Sequence, residues 1–216
     1  MKQLVVGVVL AVVLGPSSSA WTGDGREPGR LRVRIYDGVH MSATDLSEAS
    51  GEAAAIMRAA VIEVVMVSCA SLDTQSAPDA CACPVGVGEL VVRVTWSGPA
   101  ATRIVSMGNS LVTVAGEATF ATVFIDRVHA VARGAGVSEV QLLGRTIAHE
   151  IGHLLLNTNT HAATGLMRAT WSVAELRRHR DEDWRFDPEE TEMLRAAVVR
   201  RTVSRVPHSA PQRLRC

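Results

Sequence analysis

The sequence lacks the features that mark several large functional classes. Its 216 residues carry no formal net charge, because 22 lysine and arginine residues balance 22 aspartate and glutamate residues. Nucleic acids and anionic membranes attract an excess of positive charge, so the composition favours neither as a partner. Glycine-rich phosphate loops, the serine motif of a nucleophile elbow and internal repeats are missing as well, which leaves a single domain with some other chemistry.

The one long apolar run lies at the amino terminus. Lys2 precedes the uncharged segment Leu4–Leu14, and a Gly-Pro breaker and small residues up to Ala20 follow it. This order is typical of a secretory signal peptide. The run is shorter than the roughly 20 residues that a membrane-spanning helix needs, and no cysteine near residue 20 offers a lipid attachment site. We predict that residues 1–20 are removed and that the secreted or periplasmic product keeps no stable membrane anchor.

The remaining length suits one domain, since domains commonly contain about 100–200 residues. Residues 21–30 are rich in glycine and charge and are predicted to form a flexible leader. Residues 31–205 are then the domain itself, and residues 206–216 are a carboxy-terminal tail.

Four cysteines are present, and an exported chain favours disulfides over free thiols. Cys81 and Cys83 are too close in sequence to pair easily with each other. Cys69 paired with either of them closes a short loop, which stabilises a fold by roughly 3 kcal/mol in the chain-entropy model. The cysteine left over pairs with Cys216 or stays free. A zinc knuckle at Cys81-Ala82-Cys83 is the alternative, which an oxidising compartment disfavours.

Hydrophobic periodicity predicts strands and helices along the domain. The predicted strands are Leu31–Tyr36, Val61–Val67, Leu90–Trp96, an edge strand within Ala101–Val114 that turns at Gly108-Asn109, and Thr119–Ile125. The predicted helices are Thr44–Ala60, Val137–Leu156 and a segment from Pro188 to about Arg200 that has Asp187 as its N-cap. This order indicates an α/β fold in which a mixed, twisted sheet carries a covering helix.

The segment His149-Glu150-Ile151-Gly152-His153 lies within the strongest predicted helix. Residues four apart on a helix are about 40° apart around the axis and about 6 Å apart along it, so both imidazoles can bind one zinc ion. Glu150 is turned by about 100° from His149, which keeps it out of the ligand set. We expect it to act as the general base on a zinc-activated water. A surface helix with two histidines by chance is the alternative, which the amphipathic character of the helix disfavours.

The residues that follow sharpen this hypothesis. Together with Thr164-Gly165-Leu166-Met167, the motif resembles the metzincin clan of zinc peptidases, and the matrixin-like members most. The resemblance implies an α/β zincin fold with an active-site helix, a Met-turn and a carboxy-terminal helix. It also implies that Met167 forms an apolar floor beneath the metal, and that a peptide or protein substrate aligns on the edge strand.

Two positions depart from the family pattern. Leu156 stands where the family has a glycine, and Asn159 stands where it has its third histidine. The glycine lets the chain leave the helix in a left-handed conformation, and Asn157 is the next best residue for that role, one place later. A helix one residue longer brings His161 to the metal, and imidazole binds zinc far better than an amide. We therefore expect His161 as third ligand, with Asn159 or no third protein ligand as the alternative.

These observations predict a secreted zinc-dependent endopeptidase whose ligands are His149, His153 and His161. The alternative is an exported protein that binds zinc or peptide on the same fold and cleaves nothing. The intact Glu150 favours the enzyme, since a binding protein has no chemical need for that carboxylate.

Overall fold

The computed structural model describes residues 30–70, 81, 84–97, 106–113, 117–178 and 180–203. The predicted signal peptide, nearly all of the predicted leader, the predicted tail, Cys83 and Cys216 lie outside these residues. The expectations attached to them therefore stay predictions. Among the described helices, none combines the length and the apolarity needed to cross a membrane.

The described chain begins with the order strand, helix, strand, as the sequence predicted, and most of its helices follow the last strand. The strands are β1 (Leu31–Asp37), β2 (Val64–Ala70), β3 (Leu90–Thr95), β4 (Gly108–Ser110) and β5 (Phe120–Phe124). The helices are α1 (Ala43–Ala59), α2 (Ile125–Ala135), α3 (Glu139–Leu156), α4 (Val173–Arg178) and α5 (Pro188–Val203), with a 3-10 turn at Asp181–Trp184 between the last two.

The five strands form one sheet in the order β2-β1-β3-β5-β4. Strands β2, β1, β3 and β5 run parallel to one another, whereas β4, at the edge, is antiparallel to its neighbour β5. Parallel neighbours need a crossover connection, and α1 supplies it between β1 and β2. The predicted mixed sheet with a covering helix is confirmed in this form.

Helix α3 is the central helix of the fold. It packs against α1, α2 and α5 and contacts β3, β4 and β5. Every residue from Leu142 to Leu155 is buried, the polar ones included. The Ser138 hydroxyl accepts a hydrogen bond from the Gln141 amide at 3.3 Å, so Ser138 caps the helix, which begins at Glu139. Because this part of α3 is buried, close packing holds its side chains in fixed positions.

Helix α5 begins with a reciprocal cap. The Glu190 amide donates to Asp187 Oδ1 at 2.7 Å, and the Asp187 amide donates to Glu190 Oε2 at 2.9 Å. The helix runs to Val203, slightly beyond the predicted end. Near that end the buried Arg201 donates through Nη2 to Leu154 O at 3.1 Å, which ties α5 to the last turn of α3.

Two predicted strands have different limits in the structure. The strand predicted at Val61–Val67 begins at Val64, and Val61 itself lies in a turn with a φ of 59° and 72% exposure. The Val61 amide donates to Arg58 O at 2.8 Å, so these residues close the end of α1 instead of extending the strand. The sequence did not reveal this turn, because the apolar run contains no glycine, proline or asparagine to mark it.

The edge strand was predicted at the right place but with the wrong local structure. Gly108 and Asn109, expected to form a turn, lie inside β4, which spans three residues. Residues 101–105 and 114 of the predicted segment lie outside the described residues. Glycine occurs in this strand because another side chain occupies the space of its missing Cβ, as the description of the site explains.

Helix α2 was not predicted. The strand expected at Thr119–Ile125 ends at Phe124, and α2 begins at the next residue without an intervening turn. Its buried residues Ile125, Val128, Ala132 and Ala135 are three or four positions apart, which is helical spacing. The periodicity was therefore present, but no turn residue separated it from the strand.

A disulfide joins Cys69, at the end of β2, to Cys81. The sequence had left the choice between Cys81 and Cys83 open. The two bonded residues are 12 positions apart, so the bond closes the short loop that was expected.

Replacing both Cys69 and Cys81 by alanine should lower the free energy of unfolding by about 3 kcal/mol, because the bond restricts the unfolded chain over this loop. Urea denaturation of the oxidised wild type and of the double variant measures the difference. Reduction of the wild type should give the same loss. Peptide mapping that finds Cys69 bonded to Cys83 would contradict the pairing.

Candidate metal centre

His149 and His153 lie one turn apart on α3 and are 8% and 4% exposed. Their Nε2 atoms are 3.0 Å apart. The Nδ1 atom of His149 lies 2.9 Å from Leu166 O, and that of His153 lies 2.7 Å from Thr158 O. A carbonyl oxygen only accepts, so each Nδ1 carries the hydrogen and each Nε2 carries a lone pair.

Burial disfavours the charged form of both imidazoles. Burial lowers the pKa of His149 to about 3, with the nearby His153 acting in the same direction and the hydrogen bond to Leu166 O opposing it. Burial also holds the pKa of His153 below its usual range. Two lone pairs that face each other at 3.0 Å repel each other, and a cation that both nitrogens bind removes this repulsion. The pair therefore fits a metal ion.

A third imidazole completes the cluster. The ring of His161 is exposed, and its centroid lies 5.5 Å from that of His149 and 4.8 Å from that of His153. One nitrogen from each of the three rings lies within 4.8 Å of the other two. Three imidazoles with room for a fourth ligand suit zinc. These residues are the ones that the sequence had predicted as ligands.

Asn157 determines how His161 reaches this position. It ends α3 in the left-handed conformation, with φ 52° and ψ 43°, and its amide donates to His153 O. The Thr158 amide donates to the same oxygen at 3.3 Å, and Thr158 in turn supplies the carbonyl that contacts His153 Nδ1. The helix thus ends one residue later than in the family pattern, as predicted. Asn159, the alternative ligand, is exposed and lines the cleft beside the cluster.

Met167 lies directly beneath α3. It is 1% exposed, and its Sδ atom lies 2.6 Å from the point where a Cβ on Gly152 would be. Only glycine at this position of α3 leaves room for the methionine. The preceding residue, Leu166, supplies the carbonyl that contacts His149 Nδ1. The segment predicted to be a Met-turn is therefore packed under the two histidines.

Glu150 is 3% exposed and points toward the edge strand. Its Oε2 atom lies 2.6 Å from the Ser110 hydroxyl. Burial raises the pKa of Glu150 to about 7, and the hydrogen bond from Ser110 opposes that rise. A carboxylate with such a pKa is suited to taking and giving a proton near neutral pH. The carboxylate lies next to the cluster, as the motif predicted.

Two adjoining cavities of about 160 and 190 Å³ form a cleft over the cluster. Both are lined by His149, Glu150 and His161 together with Ser106 and Gly108 at the edge strand. The first also has an apolar wall, to which Met107, Val131 and Trp171 contribute. The cleft gives a ligand access to the imidazoles and to the carboxylate at the same time.

Three residues of the site were missed by sequence reasoning. Ser110 and Gly108 contact Glu150 from β4, and nothing in the motif indicates a residue 40 positions away. Trp171 donates through Nε1 to Leu166 O at 3.3 Å, and its ring centroid lies 5.6 Å from that of His149. A glycine inside an apolar strand pattern is the one signal that pointed to a close approach at 108.

Comparisons with known proteins agree with this architecture at the level of the fold. The sequence matches no protein-family model and no curated protein. Among solved structures, the chain is similar to archaemetzincin from Methanopyrus kandleri, with a TM-score of 0.54 and 14% identity over 82% of this chain and 99% of that chain. This likeness concerns the fold alone, which is zincin-like. The narrower resemblance to matrixins stays a prediction.

The left-handed turn at Asn157 should be sensitive to substitution. Asn157→Ala is expected to lower the free energy of unfolding by about 1 kcal/mol, because residues other than glycine and asparagine adopt this conformation at a cost. Asn157→Gly should keep the stability or raise it slightly. Thermal or urea denaturation measures both, with the exposed Asn159→Ala as control. Equal stability of the alanine and glycine variants would show that the turn does not constrain the chain.

Proposed function

We propose that this protein is an exported zinc-dependent endopeptidase. The observation that carries the proposal is the convergence of three imidazoles, His149, His153 and His161, beside the buried carboxylate of Glu150 in an open cleft. This combination has a direct chemical use in peptide hydrolysis. The zincin-like fold is compatible with it.

The three histidines would hold the zinc ion through one ring nitrogen each. For His149 and His153 these are the Nε2 atoms, since both Nδ1 atoms contact carbonyl oxygens. A bound zinc ion polarises the carbonyl of the scissile bond and lowers the pKa of water. The carbonyl partners fix the tautomer and the orientation of the two rings, and this raises their affinity for metal.

Glu150 would act as the general base and then as the general acid. It accepts a proton from the water that attacks the peptide carbonyl, and it delivers that proton to the leaving amine. Its position next to His149 on α3 places it at the cluster without making it a ligand. Its burial, which raises its pKa to about 7, favours both halves of this transfer near neutral pH.

The edge strand β4 would align the substrate. Within the described part of the chain, β4 pairs with β5 on one side and has no strand on the other. An extended peptide can add to such an edge through its backbone. Gly108, within β4, lines both cavities over the cluster, so a peptide bound there passes over His149 and Glu150. A peptide or protein is therefore the proposed substrate.

Glu150→Gln should abolish most of the hydrolysis of a mixed peptide library, with a fall in kcat of about 10²- to 10⁴-fold, because glutamine cannot accept the proton. Zinc content should stay at one equivalent. Glu139→Gln, the same substitution in the first turn of α3, is the matched control and should be fully active. A wild-type protein that binds zinc but cleaves no peptide would instead support a non-catalytic binding protein.

His161→Ala should weaken zinc binding by at least about 100-fold, since even an outer hydrogen-bond partner of a ligand contributes 10- to 100-fold. Competition with a chromogenic chelator measures the dissociation constant. Asn159→Ala, which removes the alternative ligand, is the control and should bind zinc like the wild type. Weaker zinc binding in Asn159→Ala together with unchanged binding in His161→Ala would assign the third ligand to Asn159 and reject His161.

A further inference from the structure

The Ser110 hydroxyl has two acceptors, both on Glu150. Its Oγ atom lies 2.6 Å from Glu150 Oε2 and 3.0 Å from Glu150 O. A serine hydroxyl has one hydrogen to donate. The carboxylate oxygen is the nearer acceptor and the more strongly charged, so it receives the hydrogen. Ser110 is 6% exposed, which keeps water from competing for this bond.

The backbone of β4 fixes the position of this hydroxyl. Ser110 is paired with Ala121 of β5. The Leu111 amide donates to Phe120 O at 2.9 Å, and the Phe124 amide donates to Met107 O at 2.8 Å, so bonds to β5 hold the strand at both ends. The hydroxyl is therefore placed by the sheet, while the carboxylate is placed by α3.

Gly108 lies two residues before Ser110 and therefore on the same face of the strand. A Cβ at this position would lie 2.2 Å from Glu150 Oε1 and 2.6 Å from Glu150 Cδ. No side chain fits there while the carboxylate keeps its position, because backbone pairing fixes Gly108 opposite Val123. The carboxylate thus lies against the backbone of the strand, with Ser110 beside one of its oxygens.

We propose that Ser110 and Gly108 are positioning residues for Glu150: Ser110 holds Oε2, and Gly108 leaves the space that the carboxylate occupies. Oε1 then remains as the oxygen that exchanges the proton. This inference rests on the proposed function, because it concerns the proton transfer of that reaction. It also links substrate binding to proton transfer, since β4, the strand proposed to bind the peptide, is also the strand that orients Glu150.

Ser110→Ala tests the hydroxyl. With zinc loaded to one equivalent, kcat for a peptide substrate should fall by about 10- to 100-fold, the effect of losing a hydrogen bond to a charged group. KM should change by less than about twofold, because Ser110 does not bind the substrate through its side chain. Ser110→Thr, which keeps the hydroxyl, should recover most of the rate. Ser50→Ala, which removes a buried hydroxyl 2.6 Å from Leu46 O in α1, is the matched control and should leave kcat unchanged.

Gly108→Ala tests whether the space beside Gly108 is needed to position the Glu150 carboxylate. Its methyl group should displace the carboxylate and lower kcat by a similar factor while the zinc content stays at one equivalent. Crystal structures of the zinc-free wild type, Ser110→Ala and Gly108→Ala provide a readout that does not depend on activity. Glu150 should contact Ser110 in the wild type and should occupy a different rotamer in both variants.

The outcomes separate this proposal from the proposed function. A wild-type protein that cleaves no peptide would reject the enzyme and with it the positioning role. An active wild type whose kcat is unchanged in Ser110→Ala, or whose Glu150 rotamer is the same in all three structures, would reject the positioning role alone. A rate loss in Ser110→Ala that only follows a loss of zinc or of thermal stability would also overturn it, as would a folded, zinc-loaded Ser110→Thr that is as slow as the alanine variant.

Discussion

Two imidazoles lie with their unprotonated nitrogens 3.0 Å apart inside the protein, and much of the structure serves to hold them there. Left alone, such nitrogens repel each other, and burial keeps a proton from relieving the repulsion, since the pKa of His149 is lowered to about 3. The fold therefore holds the two nitrogens in positions from which both can bind one cation. Such preorganisation is characteristic of sites whose ligands are oriented before the metal arrives.

The helix that carries the histidines cannot maintain the arrangement alone. Each ring is oriented by a carbonyl outside α3, from Leu166 for His149 and from Thr158 for His153. These carbonyls lie in the segment after the helix, whose path depends on the left-handed residue Asn157. Burial of both rings then restricts the rotamers that they can adopt. Helix geometry sets the spacing of the two histidines. The carbonyl oxygens that follow the helix determine which nitrogen of each ring is left without a hydrogen.

Predictions from the sequence succeeded where the information is local. The spacing of His149 and His153 follows from helix geometry, and the turn at Asn157 follows from the conformations that asparagine tolerates; together they placed His161 near the cluster. The predictions failed where an element boundary or a contact leaves no signal in the neighbouring sequence. The junction of β5 and α2 contains no turn residue, and the contact of Ser110 with Glu150 joins residues 40 positions apart. Such a contact depends on the order of the strands in the sheet, and hydrophobic periodicity along the sequence carries no information on that order.

A path of contacts connects the histidine cluster to helix α1. Leu166 O accepts hydrogen bonds from both His149 Nδ1 and Trp171 Nε1. The Trp171 ring meets that of Trp184 edge to face at 5.2 Å, and the guanidinium of Arg145 on α3 lies 4.0 Å from the centre of the Trp184 ring. Arg145 in turn pairs with Glu52 of α1 at 3.3 Å. The carbonyl that orients His149 is thus anchored through the segment after the Met-turn to the helix that covers the sheet. The geometry of the three-histidine cluster is therefore a property of the completed fold and not of the histidine helix by itself.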